Sequence, residues 1–165
     1  MHHQVVVLAS EIGTAVTINS LQWHKFPTTD QDANCANFSI YMGLCATDQL
    51  SGDSFEGNYI TGTKTLVYSS ALQVVSASTE WPEIGLATPF FYNGTDNLII
   101  EIQWEDNPQP NLYYNWVWFA GDSRCIYAQG SPEIKVWNSI PHMNLIGTEA
   151  LENSTFAQIK VELGQ

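Results

Sequence analysis

Positive charge is almost missing from this sequence. Lysine and arginine number 5 against 17 acidic residues, for a formal net charge of −12. The bases, Lys25, Lys64, Lys135, Lys160 and Arg124, are scattered. No basic patch exists to neutralise phosphates, which argues against nucleic acid and anionic lipid as partners. Charge of either sign is scarce, at 13% of residues, about half the usual share. The hydrophobic share is 44%, so the chain can build a core and lacks the composition of a disordered one. Its 165 residues fit one domain.

No apolar run reaches the length of a membrane helix, so no insertion is expected. Met1-His2-His3-Gln4 leads straight into Val5-Val6-Val7-Leu8, too short for the core of a signal peptide. The expectation is a mature form or a portion of a longer precursor. Catalytic motifs are missing too. The histidines, His2, His3, His24 and His142, form no H-E-x-x-H, and there is no G-x-S-x-G elbow or phosphate-cradling glycine loop. Glu80, Glu83, Glu101 and Glu105 offer carboxylate pairs of the kind glycoside hydrolysis needs, but so does any sheet this rich in acids. The expectation is a non-enzyme.

Cysteines number three, Cys35, Cys45 and Cys125. An extended strand from Phe38 to Met42 would hold Cys35 and Cys45 roughly 20–30 Å apart. A disulfide needs Cα atoms within about 7 Å. Two readings stay open: Cys125 bridged to one of the others, or three buried thiols. No pair has metal-ligand spacing.

What the sequence has is strand periodicity. In Leu98 to Trp104, Leu98, Ile100, Ile102 and Trp104 alternate with Ile99, Glu101 and Gln103. Asn93-Gly94 and Asp96-Asn97 supply the turn before it. Strands are expected at about 4–8, 15–23, 38–43, 64–69, 71–77, 83–87, 97–104, 113–119, 124–129, 133–137, 142–146 and 156–163. In 15–23 the apolar parity switches from Val16 and Ile18 to Leu21 and Trp23, which predicts a bulge near Asn19-Ser20. The only helical candidate is a turn near Thr148 to Glu152. Phe26 to Asn37 and Thr47 to Gly62 read as surface loops. The expected fold is all-β, a two-sheet antiparallel, jelly-roll-like sandwich over 1–150 with an extra C-terminal strand in 151–165.

A family pattern runs through these elements. Leu8-Ala9-Ser10-Glu11-Ile12-Gly13 precedes a Thr/Ile strand; Ile40-Tyr41-Met42-Gly43, Leu66-Val67-Tyr68 and Pro89 to Ile100 follow in order. Over residues 5–146 this resembles the β-sandwich domains of large secreted and surface proteins of Bacteroidetes- and Fibrobacteres-like bacteria. The resemblance implies an extracellular, non-catalytic module and supplies no catalytic residues. The chain departs from the pattern by having no partner domain and by continuing about twenty residues past His142-Met143-Asn144-Leu145.

That continuation is the main functional candidate. Phe156 starts a segment in which Ala157, Ile159, Val161 and Leu163 share one parity. It reads either as the last strand of its own sandwich or as a strand donated to a neighbouring subunit. Donation head to tail would build a filament. The expected interface is Phe156, Ala157, Ile159, Val161 and Leu163 with Val5 and Val7, and the expected partners are copies of the chain itself, a homo-oligomer or filament on the cell surface.

Two lesser candidates remain. Tyr113, Tyr114, Trp116 and Trp118, with Trp104 and Trp137, form a dense aromatic set that would suit polysaccharide stacking or protein contact if exposed, and core packing if not. A carbohydrate-binding or adhesion module is therefore the alternative function. Asp30, Asp32 and Asn34 alternate as calcium-loop oxygens do, but the glycine and final glutamate of an EF-hand are replaced by Cys35 and Tyr41. No cofactor is expected beyond a structural calcium. Asn37, Asn93 and Asn153 each open a glycosylation triplet.

Overall fold

A computed structural model describes residues 1–25, 32–106 and 117–149. Among the described residues the alternating runs become eleven strands. These are β1 (His2–Val7), β2 (Val16–Trp23), β3 (Ala33–Cys45), β4 (Thr65–Val75), β5 (Glu83–Tyr92), β6 (Asn97–Asp106), β7 (Val117–Phe119), β8 (Cys125–Ala128), β9 (Lys135–Trp137), β10 (Ser139–Pro141) and β11 (Met143–Glu149). The one α-helical turn described, α1, spans Ala9–Ile12. The chain is an all-β, two-sheet antiparallel sandwich.

The large sheet has the order β4-β3-β6-β1-β8-β9, and β11-β2-β5 packs across it. A short ribbon, β10-β7, lies beyond. The core between the sheets takes Ile18 and Leu21 from β2 and Tyr92 from β5 against Ile40, Leu98 and Ile100, all fully buried. The β6 alternation therefore faces the core as its pattern predicts. The parity switch in β2 is also real: its pairing with β5 shifts register between Ile18 and Ser20. The Asn93–Asp96 turn carries the chain from β5 in one sheet to β6 in the other. Gly94 has φ 79°, and a Cβ there would sit 2.6 Å from the Ala15 nitrogen. The Asn93 side-chain oxygen accepts from the Thr95 and Asp96 amides at 3.0 and 3.1 Å.

Several sequence expectations need correction. Residues 33–37 are strand, not loop. Asn37 adopts φ 48° and the β3–β6 register slips between Ala36 and Ser39, so a bulge absorbs the turn-forming asparagine and the ladder continues. Cys35 and Cys45 thus sit inside β3, at its two ends. The expected strands 64–69 and 71–77 are one strand, β4. Thr148 and Glu149 belong to β11 rather than to a helical turn. The motif Leu8 to Gly13 is α1 with its cap: Glu11 accepts from the Leu8 amide at 2.9 Å, and Gly13 closes it at φ 82°.

The segment 46–64 is a loop, as expected, but it does not merely skirt the surface. It lies over the outer face of the large sheet. Leu50 and Tyr59 pack there with Val6, Cys45, Ile99 and Ile126 as a second cluster. Gly43 is what admits it, since a Cβ at that position would meet the Tyr59 ring at 2.5 Å. The central strands are therefore buried on both faces.

Candidate functional site

Three places in this frame bring chemistry together. The first is the end of the smaller sheet. β11 pairs with β2 on one side, and among the described residues no strand pairs with its other side. Ile146, Gly147, Thr148 and Glu149 are all exposed. A groove of about 720 Å³ runs along this edge, walled by Val7, Ile12, Val16, Ile140, Met143 and Leu145. Edge strands usually carry lysine, proline or inward charge that discourages pairing. β11, Met-Asn-Leu-Ile-Gly-Thr-Glu, has none until Glu149. β5, the opposite edge of the same sheet, carries Pro89.

The groove wall is braced by an ion pair. Arg124, 4% exposed, donates to Glu11 at 2.9 and 2.5 Å and to the Val6 carbonyl at 3.2 and 3.1 Å. Burial would raise the Glu11 carboxyl, but the bonds from Arg124 and from the Leu8 amide hold it below its ordinary value. Glu11 is thus neutralised by its partner, while Thr14, Gln22, Asn144 and Glu149 also line the groove, so its wall mixes apolar and polar groups.

The second place is a carboxylate sealed inside the outer cluster. Glu101 is 0% exposed. Its Oε1 receives Gln103 at 2.7 Å and Lys64 at 3.0 Å, with His2 Nε2 also at 3.0 Å. Its Oε2 receives Gln4 at 2.8 Å and the Tyr59 hydroxyl at 3.0 Å. Lys64 reaches on to Glu56 at 2.9 Å, and Asn58 donates to Gln4 at 2.9 Å. Burial alone would raise the Glu101 carboxyl. The bonds from His2, Lys64 and Gln103, with the Lys64 charge, win and hold it at about 2. Burial and the Glu101 charge push the Tyr59 hydroxyl well above its usual range. With five donors on two oxygens, the carboxylate has no lone pair left for a substrate. The arrangement pins loop 46–64 to the sheet.

The third place is a cysteine–histidine pair on the inner face. Cys125 Sγ lies 3.0 Å from His3 Nε2. The spacing would suit an activated nucleophile, but the electrostatics do not. Burial drives the thiol up to about 12, and burial with the nearby His2 drives the imidazole down to about 4. Both groups are neutral, and the thiol and the ring share one hydrogen bond.

The residues singled out from sequence divide accordingly. Val7 walls the groove, whereas Val5 is 1% exposed inside its own sandwich. Phe156, Ala157, Ile159, Val161 and Leu163 lie outside the described residues, as do Tyr113, Tyr114, Trp116 and Asp30. Trp118 lies on β7 opposite Ile140. Trp137 is half exposed, but its ring meets Tyr127 at 67°, so the two offer no common plane for a sugar. Asp32 accepts from the Ala77 amide at 2.8 Å, and Asn34 sits within β3. Among the described residues no group of histidine, cysteine, aspartate or glutamate is placed to hold a metal, and no helix is long and apolar enough to cross a membrane.

The three cysteines are free thiols, so the bridged reading fails. Cys125 belongs to the inner core and Cys45 to the outer cluster, on opposite faces of the sheet, and β3 separates Cys35 from Cys45 by its length. Of the groups that matter most here, sequence reasoning missed Lys64, Tyr59 and Arg124. The available signal was Glu101 itself, a lone acid inside Leu-Ile-Ile-Glu-Ile.

No family model, curated protein or solved structure matches the chain. The resemblance to bacterial surface domains therefore stands on its sequence motifs alone.

Proposed function

We propose that this chain is a non-enzymatic extracellular structural subunit. It assembles with copies of itself into a surface filament or sheath through β-strand complementation. The observation that carries this reading is the edge of β11, exposed, nearly uncharged and flanked by a groove with an apolar stretch from Ile12, Ile140, Met143 and Leu145. An exposed edge of this kind, although its register with β2 shifts between Ile146 and Gly147, is a template for another strand. The chain also continues after it, in residues 150–165, with a second run of strand periodicity. The net charge of −12 keeps unassembled chains apart at low salt.

Size-exclusion chromatography with light scattering, together with electron microscopy, tests the reading. The full chain is expected to form oligomers or filaments, and a chain lacking residues 153–165 to remain a soluble monomer. Unchanged polymers after the deletion would sink the proposal.

A further inference from the structure

We infer that the acceptor in this assembly is the groove along the free edge of β11, and that its occupant is residues 156–163 of a second copy. The inference rests on the assembly reading and names its two surfaces. The lengths agree: β11 offers seven residues, about 23 Å, and residues 156–163, as an added strand, would span about 26 Å. The chemistry agrees as well. An added strand would turn one parity toward Ile12, Ile140, Met143 and Leu145. Ala157, Ile159, Val161 and Leu163 supply an apolar parity, while Gln158, Lys160 and Glu162 take the other.

Charge favours the same pairing. Residues 156–163 hold one lysine and one glutamate, so they approach a chain of net charge −12 without adding repulsion. Of the two acids that line the groove, Glu11 is already held by Arg124, and Glu149 stands at the end of β11. The link that follows β11 favours a second copy over the chain's own tail. Residues 150–155, Ala-Leu-Glu-Asn-Ser-Thr, lack the Asn-Gly or Asp-Gly pair of a two-residue hairpin, so a tail folding back on its own β11 would need a longer loop through Asn153-Ser154. The other candidate acceptor is β4, an edge of the large sheet, which exposes Leu66, Leu72 and Val74.

Hydrogen exchange on the full chain carrying Val161→Asp tests the inference. The substitution puts a charge on the apolar parity of the donor and changes no residue of the described sandwich. A synthetic peptide of residues 150–165 with the native sequence is then added. The expected result is saturable binding, with amide exchange in 143–149 slowed at least about tenfold and exchange in 65–75 unchanged. Ile12→Arg in the same chain is expected to abolish that protection. Protection of 65–75 instead, or no binding by a Val161→Asp chain that is monomeric, overturns the acceptor while leaving assembly intact. Polymers formed by Val161→Asp itself overturn the donor. A monomeric native chain with 143–149 already protected means that its own tail fills the groove, which overturns both.

Discussion

On one face of β6, Leu98, Ile100 and Ile102 meet the second sheet; on the other, Ile99 and Glu101 meet the loop 46–64. The inner face is held by area. Its contacts are nearly all apolar and would tolerate small slides of one sheet on the other. The outer face is covered by a segment with no ladder of its own, and its apolar cluster is small. There Glu101 supplies direction: five donors from three segments of chain, β1, loop 46–64 and β6 itself, converge on one carboxylate and fix where the loop sits. Buried charge of this kind is a poor source of net stability but a strong penalty against misplacement.

The largest effect is expected from removing that carboxylate. Glu101→Leu leaves Lys64, Tyr59 and Gln4 facing an apolar group and should cost about 3–5 kcal/mol. Ile100→Ala, one residue away on the inner face, should cost about 3 kcal/mol through its cavity. Urea unfolding gives both numbers, and limited proteolysis separates their character. Glu101→Leu should expose 46–64 to cleavage before global unfolding, whereas Ile100→Ala should raise cleavage throughout. If loop cleavage is equal in the two variants, the carboxylate does not hold the loop.

That contrast was only half legible in the sequence. The inner face was readable because period two is a local property: β6 announces its buried parity, and β2 announces even its bulge at Ile18/Ser20. The outer face was not, because Gln4, Tyr59, Lys64 and Glu101 are far apart in sequence and polar parity ordinarily means solvent. β3 was read short because Asn37 is a turn former, and only its pairing with β6 shows that the strand continues through a bulge. The strand at 142–146 was visible, but the exposure of its edge depends on strand order, which no local pattern encodes. The tail 156–163 carries strand periodicity in the sequence and lies outside the described residues.

Acid should separate the faces in two stages. His3, on the inner face, is held neutral, its pKa lowered from 6.5 to about 4. Below pH 6.5 the unfolded chain takes up this proton and the folded one does not, so stability falls as pH drops from about 6.5 to about 4. The loss is at most about 3 kcal/mol. Glu101, on the outer face, is held ionised, its pKa lowered from 4.5 to about 2. Its contribution is complete above the ordinary carboxylate range and is lost as pH falls from about 4.5 to about 2. Unfolding midpoints measured from pH 7 to pH 2 should therefore decline in both windows. His3→Gln should flatten the upper decline alone, and Glu101→Gln the lower alone. A His3→Gln profile identical to the parent would show that the imidazole is not kept neutral by the fold.

The smallest effect compares two phenols. Tyr59 on the outer face donates to the Glu101 carboxylate at 3.0 Å, and Tyr92 on the inner side donates to the Asp96 carbonyl at 2.7 Å. Both rings are buried, so each Tyr→Phe change keeps its packing, including the close approach of Tyr59 to Gly43. What is lost is one hydrogen bond in each case. The bond to a charged acceptor is the stronger, and a buried carboxylate cannot recruit water in its place. The Asp96 carbonyl lies in a turn that water can reach. Tyr59→Phe should therefore cost about 1.5–2 kcal/mol and Tyr92→Phe about 0.5–1 kcal/mol, read from denaturation midpoints at constant slope. Equal costs would mean that water already reaches Glu101, and that loop 46–64 is held by its apolar contacts with Val6, Ile99 and Ile126 rather than by the carboxylate.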